Sequence, residues 1–199
     1  LSAARRKSSI RAVLAALPAP GVLPDALLRS IMRSIFGWAY KVEVRGMENF
    51  EKAGDRVLII ANHTSHFDTP VVLAALPSPL RERTAVAAAA DRFYRNTKRS
   101  WWYSLFWNTF PIKRGGGKAA LDYPMSLLQH RSSILIYPEG GRSKSGQIAR
   151  FKAGPAIMAM GGNVPVIPIY MEGLQAIMPK GDKHPKPGPV HARIGKPVS

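Results

Sequence analysis

The residues best suited to chemistry follow a short apolar run. Residues 57–61 (VLIIA) predict a buried strand, and the sequence NHTSHFDTP comes directly after it. His63 and Asp68 are separated there by four residues, which leaves room for the loop to fold back. A carboxylate that binds one imidazole nitrogen fixes the tautomer, and the other nitrogen then takes a proton as a general base. The plainer alternative for such a pair is a structural hydrogen bond.

Pro70 favours a helix that begins near Asp68 or Thr69, where the helix dipole stabilises an ionised carboxylate. Two rival uses of this segment carry less weight. No Gly-x-Ser-x-Gly occurs, as a serine hydrolase elbow would require. A metal site on His63, His66 and Asp68 would need a further ligand from His130, His184, His191 or a distant carboxylate, because the chain has no cysteine. We therefore expect no bound metal.

A second candidate segment is the basic, glycine-rich turn after the predicted strand 109–113. Its glycines let the backbone approach an anion, while Lys113, Arg114 and Lys118 supply charge. The spacing Gly115-x-Gly117-x-x-Ala120 also imitates a dinucleotide-binding fingerprint, although the match is short. A solvated basic turn is the third interpretation.

The third candidate segment, YPEGGRSKSG, leaves the predicted strand 133–137. Here Arg142 could take phosphate oxygens in a bidentate manner and Glu139 could accept a hydrogen bond from a hydroxyl. A Glu139–Arg142 surface ion pair is the alternative. The apolar run VPVIP at residues 164–168 carries no reactive group and predicts a wall for the site.

Alternating strand and helix patterns from residue 41 onward predict a single α/β domain over residues 40–199. We expect a mixed, largely parallel sheet flanked by helices. The predicted strands are residues 41–45, 57–61, 84–90, 109–113, 133–137, 164–170 and 190–194. The predicted helices are residues 69–76, 101–107, 118–129 and 152–160.

Residues 1–39 predict a basic amphipathic helical hairpin that precedes the domain. Apolar residues recur at helical spacing in both halves, opposite arginine-rich faces, and a proline- and glycine-containing break separates the halves. Such helices either cover a core or dock on anionic lipid, which attracts each basic residue by about 1 kcal/mol. Three tryptophans within residues 101–107 also favour an interfacial or acyl-chain-contacting role.

The charge balance calls for a negatively charged partner. Lys and Arg total 29 against 12 Asp and Glu, a net charge of +17, so anionic lipid, phosphorylated substrates and nucleic acid all qualify. The sequence has no recognition helix with clustered base-reading side chains and no aromatic ribonucleoprotein signature, so we expect no nucleic-acid partner. No apolar run approaches the ~20 residues of a spanning helix. The first residue is leucine, and we expect the chain to be a segment of a longer protein.

Taken in order, four blocks resemble the PlsC-like glycerolipid acyltransferases. They are Asn62-His63-x4-Asp68, Phe110-Pro-Ile-Lys-Arg114, Tyr137-Pro-Glu-Gly-Gly-Arg-Ser143 and Val164-Pro-Val-Ile-Pro168. The resemblance covers residues 40–198, about four-fifths of the chain, and the ordered set is far more specific than any single block.

The resemblance implies a peripheral enzyme on the cytoplasmic face of the cell membrane. It would move a fatty acyl group from acyl-CoA or acyl carrier protein to a hydroxyl of a glycerophosphate or lysophospholipid. His63 is then the general base and Asp68 its orienting partner. Lys113, Arg114, Glu139, Gly140 and Arg142 fall in blocks that bind the phosphorylated acceptor. The thioester is a co-substrate, and no cofactor is expected.

Two departures from the family pattern concern the acceptor. Gly141 stands where threonine is common, and Lys113 stands where an acidic residue is often seen. A more flexible loop and extra positive charge would suit a different or larger headgroup, while the His63–Asp68 chemistry is unaffected. The remaining alternative is a non-catalytic basic domain that binds lipid or nucleic acid.

Overall fold

A computed structural model of the chain describes residues 41–94, 104, 107–182 and 184–199. These residues form a seven-stranded sheet with helices on both faces. In chain order the elements are β1 Val42–Arg45, α1 Glu48–Ala53, β2 Leu58–Ala61, α2 Asp68–Ala75, α3 Ser78–Glu82, β3 Thr84–Ala89, α4 Ala90–Phe93, β4 Thr109–Ile112, a 3-10 helix Lys118–Ala120, α5 Asp122–Gln129, β5 Ser133–Ile136, α6 Gly154–Gly162, β6 Val166–Glu172, α7 Leu174–Ile177 and β7 Val190–Ile194.

The sheet is mixed and largely parallel, as the sequence predicted. Its strand order is β1-β7-β6-β2-β5-β3-β4. Only the β6–β7 pair is antiparallel, so β1 and β7 run opposite to the other five strands. β2 lies in the middle, where Leu58 faces Ile134 on one side and Val166 on the other. Buried parallel strands read as continuous apolar runs, which explains the sequence of β2.

Side chains of β2 alternate between two apolar layers, as the twofold period of a strand requires. Ile59 packs with Val72 of α2 and with residues of α1 and α7 on one face of the sheet. Leu58 packs with Leu128 of α5 and Met158 of α6 on the other face. Both sides of the central strand are therefore covered by helices.

The strand order gathers the candidate segments at one edge of the sheet. β2, β5, β3 and β4 are neighbours and run in the same direction. The segments that follow these strands carry His63, Glu139, Arg92 and Arg114, respectively. Because the carboxyl ends of parallel strands meet at one edge, residues far apart in sequence converge there.

Predicted and observed elements differ mainly at helix ends. All seven predicted strands are present, with ends within two residues of the prediction. The helix predicted for residues 118–129 is divided into the 3-10 helix and α5, and Pro124 in the first turn of α5 accounts for its start at Asp122. The short helices α1, α3, α4 and α7 were not predicted, since four to six residues are too few for a periodic pattern.

Two predicted features lie outside the described residues. They are the hairpin of residues 1–39 and most of the aromatic segment 101–107, of which Ser104 and Trp107 are described. In the part of the chain that the structure describes, no helix combines the length and hydropathy needed to cross a bilayer.

Asn62 joins the end of β2 to β6 and so fixes the start of the segment that carries His63. Its side-chain amide donates to the carbonyl oxygen of Met171 at 2.9 Å and accepts from the Met171 N–H at 2.8 Å. Only 5% of Asn62 is exposed, so these backbone groups of β6 have no solvent to replace a lost partner.

We predict that Asn62→Ala lowers the free energy of unfolding by about 2–4 kcal/mol, because two buried backbone groups lose their hydrogen bonds. Urea denaturation followed by circular dichroism measures the change. Gln175→Ala is the matched control, since that amide makes one exposed bond to the carbonyl of Lys144. The control should change the free energy by less than about 0.5 kcal/mol. Equal effects of the two substitutions would contradict the role given to Asn62.

Candidate active site

His63 and Asp68 are in direct contact at the carboxyl edge of the sheet. The distance between His63 Nδ1 and Asp68 Oδ2 is 2.7 Å. The Asp68 side chain is fully buried, whereas the His63 side chain is 21% exposed. The imidazole is thus supported from the protein interior and reachable from outside, which is the arrangement a general base requires.

The Asp68 carboxylate organises the whole segment between β2 and α2. Oδ2 also accepts the backbone N–H of Thr64 at 2.6 Å and that of Ser65 at 2.9 Å. These bonds close the loop back on the first residue of α2, as the four-residue spacing predicted. With Asp68 accepting, the hydrogen-bond network assigns the His63 proton to Nδ1 and leaves Nε2 as the proton acceptor.

The His63 ring is also held from one face by Tyr137, the first residue after β5. The two rings stack with centroids 4.1 Å apart and an angle of 18° between their planes. The Tyr137 hydroxyl lies 2.8 Å from Thr69 Oγ1. Burial raises the pKa of Tyr137 well above its usual value, so its hydroxyl stays neutral. Tyr137 was not among the predicted site residues, since a stacking partner after a different strand has no local signature.

Glu139 lies behind the site and joins its two main loops. One carboxylate oxygen accepts the His63 N–H at 2.8 Å and the other accepts the Ala149 N–H at 2.9 Å. The Ser143 N–H in turn donates to the His63 carbonyl oxygen at 2.7 Å. Glu139 is 9% exposed. The described ion pairs do not include one between Glu139 and Arg142, so the surface ion pair considered as an alternative does not form.

A cavity of about 610 Å³ opens beside the His63–Asp68 pair. Five of the seven predicted site residues line it, while Asp68 and Glu139 lie behind its wall. Its polar walls include His63, Lys113, Arg114 and Arg142, and its apolar walls include Ala87, Ala89, Ile112, Leu121, Ile136 and Ile157. One cavity therefore combines a proton acceptor, cationic groups and an apolar surface.

Arg142 carries the strongest signature of an anion site. Only 8% of the residue is exposed, and its Nη1 is buried without a hydrogen-bond partner. Burial lowers the pKa of Arg142, and the neighbouring positive charge of Arg92 lowers it further. A buried guanidinium with a free N–H and a second cation beside it favours a bound anion.

His66 lines the same part of the cavity in a neutral state. Burial lowers its pKa to about 4, and the positive charges of Arg142 and Arg92 contribute to the shift. This shift favours the neutral imidazole of His66 near pH 7. The folded pKa lies below the ordinary 6.5, so protonation of this residue opposes folding as the pH falls from 6.5 towards 4.

The remaining predicted residues form the rim of the cavity. Arg114 makes an ion pair with Asp91, and its Nη1 lies 3.4 Å from the carbonyl oxygen of Gly140. The Gly140 N–H donates to the Tyr137 carbonyl oxygen at 3.0 Å and closes a turn, so this N–H is already engaged. Gly140 has a φ of +73°, and a Cβ there would lie 2.5 Å from Lys152 Cε.

The comparisons with known proteins agree with this geometry. The sequence matches the Acyltransferase family over residues 41–172. The chain belongs to the acyltransferase family. Among solved structures, the 1-acyl-sn-glycerophosphate acyltransferase PlsC from Thermotoga maritima is similar with a TM-score of 0.69 and 27% identity, covering 88% of this chain and 68% of that one. The resemblance to PlsC-like acyltransferases is thereby confirmed.

Two curated relatives of this chain have the same designation. The chloroplastic 1-acyl-sn-glycerol-3-phosphate acyltransferase BAT2 of Brassica napus is 28% identical over 167 residues, which cover 80% of this chain and 45% of the relative. The 1-acyl-sn-glycerol-3-phosphate acyltransferase alpha of Mus musculus is 26% identical over 175 residues, which cover 85% and 59%. The chain spans about half the length of the curated relatives it matches.

The geometry of the site also bears on the rival interpretations of its motifs. The described residues contain no cluster of three His, Asp or Glu side chains arranged to hold a metal ion. The turn after β4 leads into a 3-10 helix of three residues, not into the longer helix that follows a dinucleotide fingerprint. At Gly141, where the family often has threonine, an added Cβ would meet nothing within 4 Å. Packing therefore does not impose glycine at this position.

We predict that Glu139→Gln lowers the free energy of unfolding by about 1–3 kcal/mol, because one carboxylate oxygen becomes an NH₂ group that faces a backbone N–H. Denaturant unfolding measures the effect. Glu172→Gln is the control, since Glu172 pairs with Arg193 at the surface. A direct acceptor-binding role for Glu139 would instead raise the acceptor KM at unchanged stability, and that outcome would contradict the linking role.

Proposed function

We propose that this chain transfers a fatty acyl group from a thioester, either acyl-CoA or acyl carrier protein, to a hydroxyl of a phosphorylated glycerolipid. The observation that carries the proposal is the 2.7 Å contact between His63 and the buried Asp68 at the wall of the cavity. The names of the relatives suggest 1-acyl-glycerol 3-phosphate as the first acceptor to test. Function at the cytoplasmic face of a membrane belongs to the same proposal.

The reaction follows from the assigned tautomer. Nε2 of His63 takes the proton of the acceptor hydroxyl while the oxygen attacks the thioester carbonyl carbon. Asp68 stabilises the imidazolium through the Nδ1–H. The C–S bond then breaks, the sulfur leaves with the proton held by His63, and the new ester and a free thiol are released. Every proton and electron pair is accounted for without a metal, a cofactor or an acyl-enzyme.

Positive charge is available for the carbonyl oxygen as it becomes negative. Lys113 lines the cavity, and so does Lys152, whose side chain passes over Gly140. Because the Gly140 N–H already bonds to Tyr137, we assign the stabilising role to these ammonium groups instead of to that N–H. Fixed positive charge near a developing oxyanion lowers the transition-state energy.

The phosphate of the acceptor is best accommodated between Arg142 and Arg92. The unpartnered Nη1 of Arg142 would gain a charge-assisted hydrogen bond, and the anion would relieve the repulsion between the two guanidinium groups. Neutral His66 adds a further hydrogen-bonding group at this position. The acyl chain would occupy the apolar walls formed by β3, β4 and α6.

We predict that His63→Ala lowers kcat by about 10²- to 10⁴-fold, the usual contribution of a general base. A thiol-reactive dye can follow acyl-CoA turnover directly, because the protein has no cysteine of its own. His130→Ala is the matched control, as that histidine is exposed and bonds only to its own helix. Unchanged thiol release by His63→Ala would refute the base assignment. Lipid binding without turnover in the unaltered protein would favour the non-catalytic alternative.

We predict that Arg92→Gln raises the KM for the phosphorylated acceptor about tenfold, equivalent to about 1.4 kcal/mol of lost binding free energy. The KM for the thioester should stay unchanged, because only the anion contact is removed. Steady-state kinetics with each substrate varied in turn separate the two constants. Arg45→Gln, an exposed change on β1, provides the control. An equal rise in both KM values would place Arg92 outside the acceptor subsite.

A further inference from the structure

The segment between residues 148 and 160 exposes large apolar side chains next to the cavity. Ile148 is 52% exposed, Phe151 50%, Ile157 46% and Met160 83%. They lie within 13 consecutive residues that run from the loop after β5 into α6. Single exposed apolar residues are ordinary, whereas a cluster of large ones marks an interaction surface.

The helix α6 has no polar face. Its sequence is GPAIMAMGG, and it contains no charged or hydroxyl side chain. Pro155 and Met158 are buried towards the sheet, while Ile157 and Met160, three residues apart, are exposed on one side. A helix at the surface of a protein in water normally presents polar residues outward. The outward face of α6 is therefore suited to an apolar environment.

The charge along this segment of the chain is of one sign. From Gly140 to Met171 the sequence contains no acidic residue, but it contains Arg142, Lys144, Arg150 and Lys152. Of these four, Lys144, Arg150 and Lys152 are exposed. An apolar face bordered by basic side chains is complementary to a bilayer whose apolar interior lies beneath anionic headgroups.

The same segment forms part of the cavity wall. Lys152, Gly154, Pro155 and Ile157 line the cavity, and Ile157, which is 46% exposed, lies one helical turn from the exposed Met160. The exposed apolar surface is thus continuous with the apolar wall inside. A lipid leaving a bilayer in contact with this surface would reach the interior of the cavity without crossing water.

We propose that residues 148–160 form a membrane-contact surface that inserts Phe151 and Met160 into an anionic bilayer and opens the cavity to it. This surface is distinct from the predicted hairpin of residues 1–39. The proposal rests on the proposed function in one respect, namely that the substrates entering here are lipids. A second copy of this chain would bring basic residues against basic residues, so the lipid surface is the better partner.

The absence of cysteine permits a site-specific test. Met160→Cys in the full chain is labelled with an environment-sensitive fluorophore and mixed with vesicles of phosphatidylcholine, with or without phosphatidylglycerol. We expect a blue shift and quenching by brominated acyl chains, both strongest with phosphatidylglycerol. Met47→Cys is the matched control, because Met47 is 40% exposed and adjoins α1, whose Phe50 packs on the opposite face of the sheet.

Three outcomes would overturn the proposal. The label at residue 160 could remain in water on vesicle-bound protein. It could be shielded without vesicles in a monomer, which would mean that another part of the chain covers α6. It could be shielded in a dimer detected by light scattering, which would make the surface an interface between copies.

A pair of double variants tests how much the side chains of Phe151 and Met160 contribute to vesicle binding. Phe151→Ser with Met160→Ser should weaken vesicle binding about tenfold or more, as expected for the loss of two large apolar contacts. Phe151→Leu with Met160→Leu should bind as the unaltered chain does. Equal binding by both double variants would overturn the proposal.

Thiol release with a short-chain, water-soluble acceptor keeps the two proposals separate. Acyl transfer without bilayer insertion would contradict only the proposed membrane-contact surface. Bilayer insertion without acyl transfer would contradict only the proposed catalytic function.

Discussion

The buried carboxylate of Asp68 is the constraint on which the rest of the site depends. A fully buried charge is costly unless its oxygens are satisfied. Here Oδ2 binds His63 Nδ1 and the N–H groups of Thr64 and Ser65, and the Thr64 hydroxyl lies 3.4 Å from Oδ1. The same bonds give the loop its shape and give the imidazole its tautomer. Stability of the local fold and the proton transfer that we propose therefore rest on one set of contacts.

Strand order converts this local unit into a complete site. Four parallel neighbours, β2, β5, β3 and β4, end at one edge and bring together groups that are distant in sequence. Glu139 then joins the loop after β5 to the loop after β2 through the His63 N–H and supports its own loop through the Ala149 N–H. Tyr137 stacks on the imidazole. The cavity walls are thus fixed to the sheet, which holds the His63–Asp68 pair close to the cationic groups.

The sequence was sufficient to predict those features of the fold and the site that have a local or periodic pattern of residues. Apolar runs and alternating patterns predicted all seven strands, and the spacing of His63 and Asp68 allowed the contact that the structure contains. Features that depend on contacts between residues from different strands had no such signal in the sequence. Nothing local distinguishes Arg92 or Tyr137 as part of the site, and the carboxylate of Glu139 could be assigned either to a ligand or to backbone N–H groups until its partners were known. The ordered motifs identified the family, whereas the contacts that Tyr137 and Glu139 make with the His63 segment could be recognised only from the structure.

The open space at Gly141 has a consequence for how such enzymes diversify. Its missing side chain would meet no neighbour, while the adjacent backbone is tied to the imidazole loop through Glu139 and Ser143. A side chain that projects from the rim at this position can therefore be exchanged with little disturbance of the His63–Asp68 contact. Under the proposed function, headgroup preference and acyl transfer would then be separable traits.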